Sequence, residues 1–172
     1  MSSVPKIPLE VRADIEDLLF HEAALLESDK YTEWLDLLTD DIKYVMPVRE
    51  AVEIPKGATI SATPSFALFD DDKSSLTLRV QRILSGLAHA EAPPSVTQRL
   101  ITNIRGQVSD EPNHFSVWSS FLVHQVRRGR AEYTFIGQRE DQIRRVGEDL
   151  KFSHRTINLT HSILPSTISI FL

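Results

Sequence analysis

The chain has 172 residues, 41% of them hydrophobic and 25% charged, with a net charge of −5 and no cysteine. These values fit one globular domain over residues 1–172 and exclude a disordered chain or a coiled coil. The negative balance argues against nucleic acid as a partner. The missing cysteines remove disulfide frameworks, thiol nucleophiles, cysteine-ligated zinc and cysteine-bound iron-sulfur clusters together.

The opening MSSVPKIPLEV lacks the apolar stretch of a signal peptide. No run of the sequence approaches the ~20 apolar residues that span a bilayer. A soluble cytoplasmic protein without membrane contact is expected. After Pro5 and Pro8, the residues Val11, Ile15, Leu18, Leu19, Ala23 and Leu26 recur at helical spacing, which predicts a helix over Leu9–Glu27. Ser28-Asp29 then offers an N-cap to a second helix, Lys30–Leu38, with Tyr31, Trp34, Leu35 and Leu38 on its buried stripe. Thr39-Asp40-Asp41 reads as the turn that ends it. Ile42, Tyr44, Met46 and Val48 alternate with polar residues as a first strand, with Pro47 marking an edge or a bulge. Glu50 to Ser65 reads as loop.

Phe66 to Phe69 leads into Asp70-Asp71-Asp72, whose charges suit the N-terminal end of a third helix, Ser74–Leu84, with Leu76, Val80, Ile83, Leu84 and then Leu87 as its apolar side. A cation site on these acids would need a longer oxygen-ligand pattern closing on Glu, which is missing. Pro93-Pro94 forces a turn. Val96 to Val108 alternates as a long strand, with Arg99, Ile101, Asn103 and Arg105 on one parity. A turn at Ser109 to Asn113 leads into a hairpin built from Phe115–Val126, the basic turn Arg127-Arg128-Gly129-Arg130 and a return run through Tyr133, Phe135 and Gly137. On its first strand Phe115, Val117, Ser119, Phe121 and Val123 face one way, and Ser116, Trp118, Ser120, Leu122 and Val126 the other. A turn at Gly147 precedes a last long strand, Leu150 to His161, with Phe152 on one face and Ile157 and Leu159 on the other. The closing ISIFL is apolar and predicts a tail that docks onto something.

This order predicts an α+β, cone-like fold, a long curved antiparallel sheet with three helices on its concave face. Parallel strands or a separate second domain would count against it.

Residues that could carry chemistry are few. Among the six histidines, His154 and His161 have opposite strand parity, and no HExxH or HxxxH pair occurs. His114 and His124 share parity but would lie roughly 33 Å apart in a straight strand. A mononuclear iron site of two histidines and a carboxylate drawn from distant residues stays open on spacing alone. Neither a GxSxG elbow nor a phosphate-cradling glycine loop is present. One enzymatic option uses the interior of the cone: Tyr44, Asp40 or Asp41, and His154 as an acid/base set for an isomerase or dehydratase. The alternative places Asp40-Asp41 in a turn and Tyr44 as a strand aromatic.

EAALLESDKYTEWLDLLTDDIKYVMPVRE, residues 22–50, resembles the opening of the small (β) subunit of bacterial aromatic-ring-hydroxylating dioxygenases. FDDDKSSLTLRVQRILSG, APPS, RLITNI, VWSSFLVHQVRRG, IGQRED, HRTINLTHSIL and the closing SIFL continue the resemblance in order across nearly the whole chain. It implies a cone fold like that of nuclear transport factor 2, steroid isomerases and scytalone dehydratase. It also implies a structural subunit in an α3β3 hexamer with β-β contacts, served by a ferredoxin and a reductase, that adds both atoms of O2 to an aromatic hydrocarbon, polycyclic ones included, to give a cis-dihydrodiol. The Rieske [2Fe-2S] cluster and the mononuclear iron are then expected on the α subunit, with no cofactor, metal or catalytic residue on this chain. The absence of cysteine agrees with that division. A stand-alone isomerase or dehydratase, or a homo-oligomeric binding module with a ligand in the cone, are the rival readings.

Three helices can hide one face of the sheet, so one apolar row is left over. Arg99, Asn103, Arg105, Trp118, Leu122, Phe171 and Leu172 are therefore expected in subunit interfaces, some of them between β chains around a threefold axis, with Trp118 as anchor. An intrachain core position is the alternative for Trp118.

Overall fold

The structure, a computed structural model, describes residues 7–48, 67–91, 93–127, 131–161 and 164–172. The expected loop Glu50 to Ser65 and residues 128–130 of the basic turn lie outside them. The elements run α1 (Leu9–Glu27), α2 (Tyr31–Asp36), β1 (Leu38–Pro47), β2 (Ala67–Asp71), α3 (Lys73–Leu84), a 3-10 turn at His89–Glu91, β3 (Val96–Val108), β4 (His114–Arg127), β5 (Ala131–Val146) and β6 (Asp149–Leu159). No helix among the described residues is long and apolar enough to cross a membrane.

The six strands form one open sheet in the order β2-β1-β6-β5-β4-β3, and α1, α2 and α3 pack against it. The α+β class and the helix-covered face are as expected. One pair departs from the all-antiparallel expectation: β1 runs parallel to β6, with Leu38 opposite Phe152 and Tyr44 opposite Arg155. Every other neighbouring pair is antiparallel. The first strand thus closes onto the last, and the meander of long strands β3 to β6 stays intact on the side away from β1.

That pairing also corrects the second helix. Leu38 is taken into the ladder with β6, and the Phe152 amide donates to the Leu37 carbonyl at 2.9 Å, so the helix stops at Asp36. Asp40 and Asp41, expected in a turn, are exposed residues of β1. Ser28-Asp29 does not cap α2 either. Asp29 takes φ +56°, and the Lys30 amide reaches back to the Leu25 carbonyl at 2.9 Å, the closing geometry of a helix C-terminus, which aspartate tolerates better than most residues.

Asp72 does cap α3, its carboxylate accepting from the Ser75 amide at 2.8 Å. Leu76 and Val80 are buried there, whereas Leu84 and Leu87 are exposed. Asp70 and Asp71 lie in β2, an edge strand that the sequence does not announce, paired to β1 with a register break at Pro47.

Strand β4 alternates without a fault, with Phe115, Val117, Ser119, Phe121, Val123 and Gln125 buried and their neighbours half-buried. Two other strands shift phase. In β3 the register breaks between Thr102 and Arg105, where Asn103 takes φ +54°. Arg99 therefore lies opposite Val123 on the inner face and Arg105 opposite Trp118 on the outer one, not on a shared face. In β6 the register with β5 slips at Ser153, so Phe152, Arg155, Ile157 and Leu159 all point inward. The expected split between Phe152 and Ile157 assumed an unbroken strand.

A filled interior and a candidate subunit interface

The interior where a cone could hold a ligand contains charge. Glu22 falls on the apolar stripe of α1 between Leu18-Leu19 and Leu25-Leu26, which aims its carboxylate at the sheet. Arg139 and Asp141 continue the inward parity of Phe135 and Gly137 on β5, and Arg155 arrives on β6 by way of the Ser153 slip. Glu22 Oε1 accepts from Trp34 Nε1 at 3.0 Å and from Arg155 Nη1 at 2.6 Å, and its Oε2 accepts from Arg139 Nη1 at 3.0 Å. Arg155 Nε and Nη2 grip both oxygens of Asp141 at 2.7 and 3.0 Å. All four charged residues are at most 1% exposed.

Burial alone would raise the Glu22 carboxyl, but the guanidiniums of Arg155 and Arg139 outweigh it and hold the group at about 2. Arg155 is disfavoured by burial and more than compensated by Asp141 and Glu22, so its proton is held more tightly than usual. General acid-base chemistry wants groups that titrate near neutrality. Glu22 and Arg155 are locked in their charged forms and serve to hold α1 against β5 and β6.

The closing segment occupies the space beside this network, against Trp34 and Tyr44. Ile168, Ile170, Phe171 and Leu172 are all buried. The Tyr44 hydroxyl donates to the Leu172 carbonyl at 2.6 Å and accepts from the Leu172 amide at 3.0 Å. Arg99 Nη2 donates to the Phe171 carbonyl at 2.9 Å, and Arg127 Nη2 donates to Ser169 Oγ at 2.8 Å. Glu91, itself buried, accepts from Ser169 Oγ and from Gln125 Nε2. The tail docks as expected, and its dock is this chain's own core.

The candidate acid/base groups are not brought together. Tyr44 faces the interior beside Arg155, engaged with Leu172, and burial pushes its hydroxyl upward. Lys43 and His154 are the next pair along, and His154 bonds Thr156 Oγ1 at 3.2 Å. Asp40 is exposed, and Asp41 forms a two-pronged surface ion pair with Arg144 at 2.6 and 2.9 Å. Among the described residues, no three or more histidine, aspartate or glutamate side chains are grouped to hold a metal ion.

The other face of the long strands is unfinished. Leu100, Leu122 and Ile136 sit in register across β3, β4 and β5, and Leu100 and Ile136 are 56% and 44% exposed. Trp118 is half-buried on this face, outside the core, between Arg105 and Glu140. A cleft of about 400 Å³ opens beside it, lined by Asn103, Ile104, Arg105, Ser119, Ser120 and Gln138. Of the expected interface residues, Asn103, Arg105, Trp118 and Leu122 gather here, whereas Arg99, Phe171 and Leu172 lie inside the chain. The charge network went unread in the sequence, though Glu22 on an apolar stripe and Arg139 and Asp141 at inward parity were its signals.

The family described as ring hydroxylating beta subunit matches residues 21–166. Among solved structures, a naphthalene 1,2-dioxygenase with indole in its active site aligns at 24% identity and a TM-score of 0.82, covering 91% of this chain and 83% of that one. The β subunit of a benzoate 1,2-dioxygenase from Burkholderia mallei aligns at 21% identity and a TM-score of 0.67, covering 90% and 92%. A putative scytalone dehydratase from Novosphingobium aromaticivorans shares the fold at 16% identity and a TM-score of 0.66, covering 89% and 86%.

Proposed function

The chain belongs to the ring hydroxylating beta subunit family, and from that premise we propose that it is the non-catalytic β subunit of a multicomponent dioxygenase, one domain over residues 1–172. In this reading the partner is an α subunit carrying the Rieske [2Fe-2S] cluster and the mononuclear iron, in an α3β3 hexamer in the cytoplasm. A ferredoxin and a reductase supply electrons, and the product is the cis-dihydrodiol of an aromatic hydrocarbon, polycyclic ones included. The family match carries the reading. It is supported by an interior packed with paired charges and the chain's own tail, where an acid/base enzyme of this fold needs room and a titrating group.

The outer face around Trp118, with Asn103, Arg105 and Leu122, is then a subunit contact, partly to neighbouring β chains, and Arg99, Phe171 and Leu172, buried inside the chain, take no part in it. Two measurements test the assignment: iron content of the chain purified alone, and its elution size with and without the large subunit. Expected are an iron-free chain and co-elution as a hexamer. Stoichiometric iron on the chain by itself, or no association, refutes it.

A further inference from the structure

The segment Ile168–Leu172 lies in the interior as a bound peptide would. The Phe171 ring rests on the Trp34 indole at 4.4 Å between centroids and 34° between planes, with Tyr31 at 6.0 Å. The Arg79 guanidinium covers it at 4.6 Å, itself held by Asp71 at 2.6 Å. Close by, the Phe171 carbonyl accepts from Arg99 Nη2 at 2.9 Å. This pocket therefore recognises an aromatic ring and an oxygen acceptor separated by two saturated carbons, the Cβ and Cα of the residue that fills it.

Arg99 is only half used. The Nε and Nη2 hydrogens of a guanidinium form a parallel pair that matches the two oxygens of a carboxylate. Arg155 uses that edge on Asp141 in this way. On Arg99, Nη2 meets a neutral carbonyl, and Nε is buried with no partner. Its remaining side-chain bond, from Nη1 to Thr97 Oγ1 at 2.7 Å, is also to a neutral oxygen. A buried guanidinium served by neutral acceptors is poorly compensated. Burial, with the like charge of Arg139, outweighs Glu22 and Glu27, which lie near enough to favour the charged form, and draws Arg99 down to about 10. Glu27 accepts from the Arg99 amide, yet neither carboxylate bonds the guanidinium. A carboxylate in place of the Phe171 carbonyl would satisfy both donors and set a charge directly on the guanidinium.

The geometry points to a binding site for an arylalkanoate, with its ring between Trp34 and Arg79 and its carboxylate on the Nε/Nη2 edge of Arg99, a site that the chain's own Phe171 fills in this conformation. The matching probe is 3-phenylpropanoate, whose ring-to-carboxyl spacing is that of a phenylalanine residue. Ligand and tail exclude one another. The tail is held by buried Ile168, Ile170 and Leu172 as well as by its ring, so the site opens to a free ligand only when the tail departs. None of this depends on the assembly role, and its test is independent of the large subunit's chemistry.

The experiment is calorimetric titration of the full-length Phe171→Gly protein, in whichever assembly it is purified, with 3-phenylpropanoate. A Kd of about 1 mM is expected for a ligand of this size, together with a rise in Tm. Binding at least about tenfold weaker is expected for the unsubstituted protein, for 3-phenylpropanamide and for Arg99→Leu combined with Phe171→Gly, since each loses the vacant ring site or the paired charge. If Phe171→Gly does not fold, Phe171→Ala is titrated in the same way. If neither folds unaided, refolding with 3-phenylpropanoate at about ten times that Kd must raise the folded-to-unfolded ratio about tenfold over that with 3-phenylpropanamide. Folded protein that takes no acid, that binds acid and amide alike or that ignores the loss of Arg99 overturns the inference, as does refolding no better with the acid than with the amide.

Discussion

The two faces of strand β4 are built from adjacent residues and have opposite fates. Phe115, Val117, Phe121 and Val123 turn inward to a core where Glu22, Arg139, Asp141 and Arg155 pair with one another. Trp118 and Leu122 turn outward to a face where leucine and isoleucine neighbours stand open. The difference separates two kinds of stability. The inner face holds the chain together by itself, and the outer face gains its apolar burial only against a second surface.

Removing a charge from the inner face is the most severe test of that division. Glu22→Ala leaves Arg139 and part of Arg155 buried without their carboxylate, a loss of about 3–5 kcal/mol. It should appear as a large fall in the urea midpoint of the isolated chain. Replacing Glu22, Arg139, Asp141 and Arg155 together by apolar residues of similar size should recover most of it, because the uncompensated charge is then gone. A neutral Glu22→Ala would mean that the network is not what holds α1 to the sheet.

On the outer face the expectation reverses. Trp118→Ala should leave a folded chain and weaken assembly by ~2 kcal/mol or more, read as the fraction of hexamer in sedimentation. Unfolding of the isolated chain would instead assign the indole to its core. Gly137 probes how tightly the inner face is closed, since a Cβ there would lie 2.5 Å from the Asn158 carbonyl oxygen and 2.9 Å from the Phe121 ring. Gly137→Ala should therefore cost about 1–3 kcal/mol through overpacking, measurable by urea denaturation.

A change of slope with pH reads the Glu22 charge without removing its side-chain volume. Glu22 has its folded value lowered from 4.5 to about 2, so its charge stabilises the fold fully above 4.5 and is lost as pH falls towards 2. The gap in urea midpoint between the wild type and Glu22→Gln should hold at neutral pH and narrow across that window. A gap that stays constant down to pH ~2 would contradict a buried, ionised Glu22.

Periodicity carried much of the fold: α1 has the expected bounds, and β4 alternates without interruption. Local patterns lose their meaning where one residue is inserted. Asn103 and Ser153 each shift the phase of their strand, which put Arg99 and Phe152 on the wrong faces in a parity reading. The parallel β1-β6 pair leaves no local trace, because it joins residues far apart in sequence. The charge network was half visible. Glu22 on an apolar stripe signals a buried carboxylate, but its partners are set by the tertiary arrangement of β5 and β6.

The β1-β6 ladder also sets a timetable for synthesis. β1 can form a hairpin-like pair with β2, but its other edge has no strand to meet until β6 has left the ribosome. Roughly 100 residues intervene, which at about 5–20 residues per second leaves that edge waiting on the order of 5–20 s. Tyr44 waits longer still, since its partner Leu172 comes after β6. An apolar strand with an open edge is a template for intermolecular pairing during such a delay, so slowing translation after β2 should lower soluble yield without changing the finished protein.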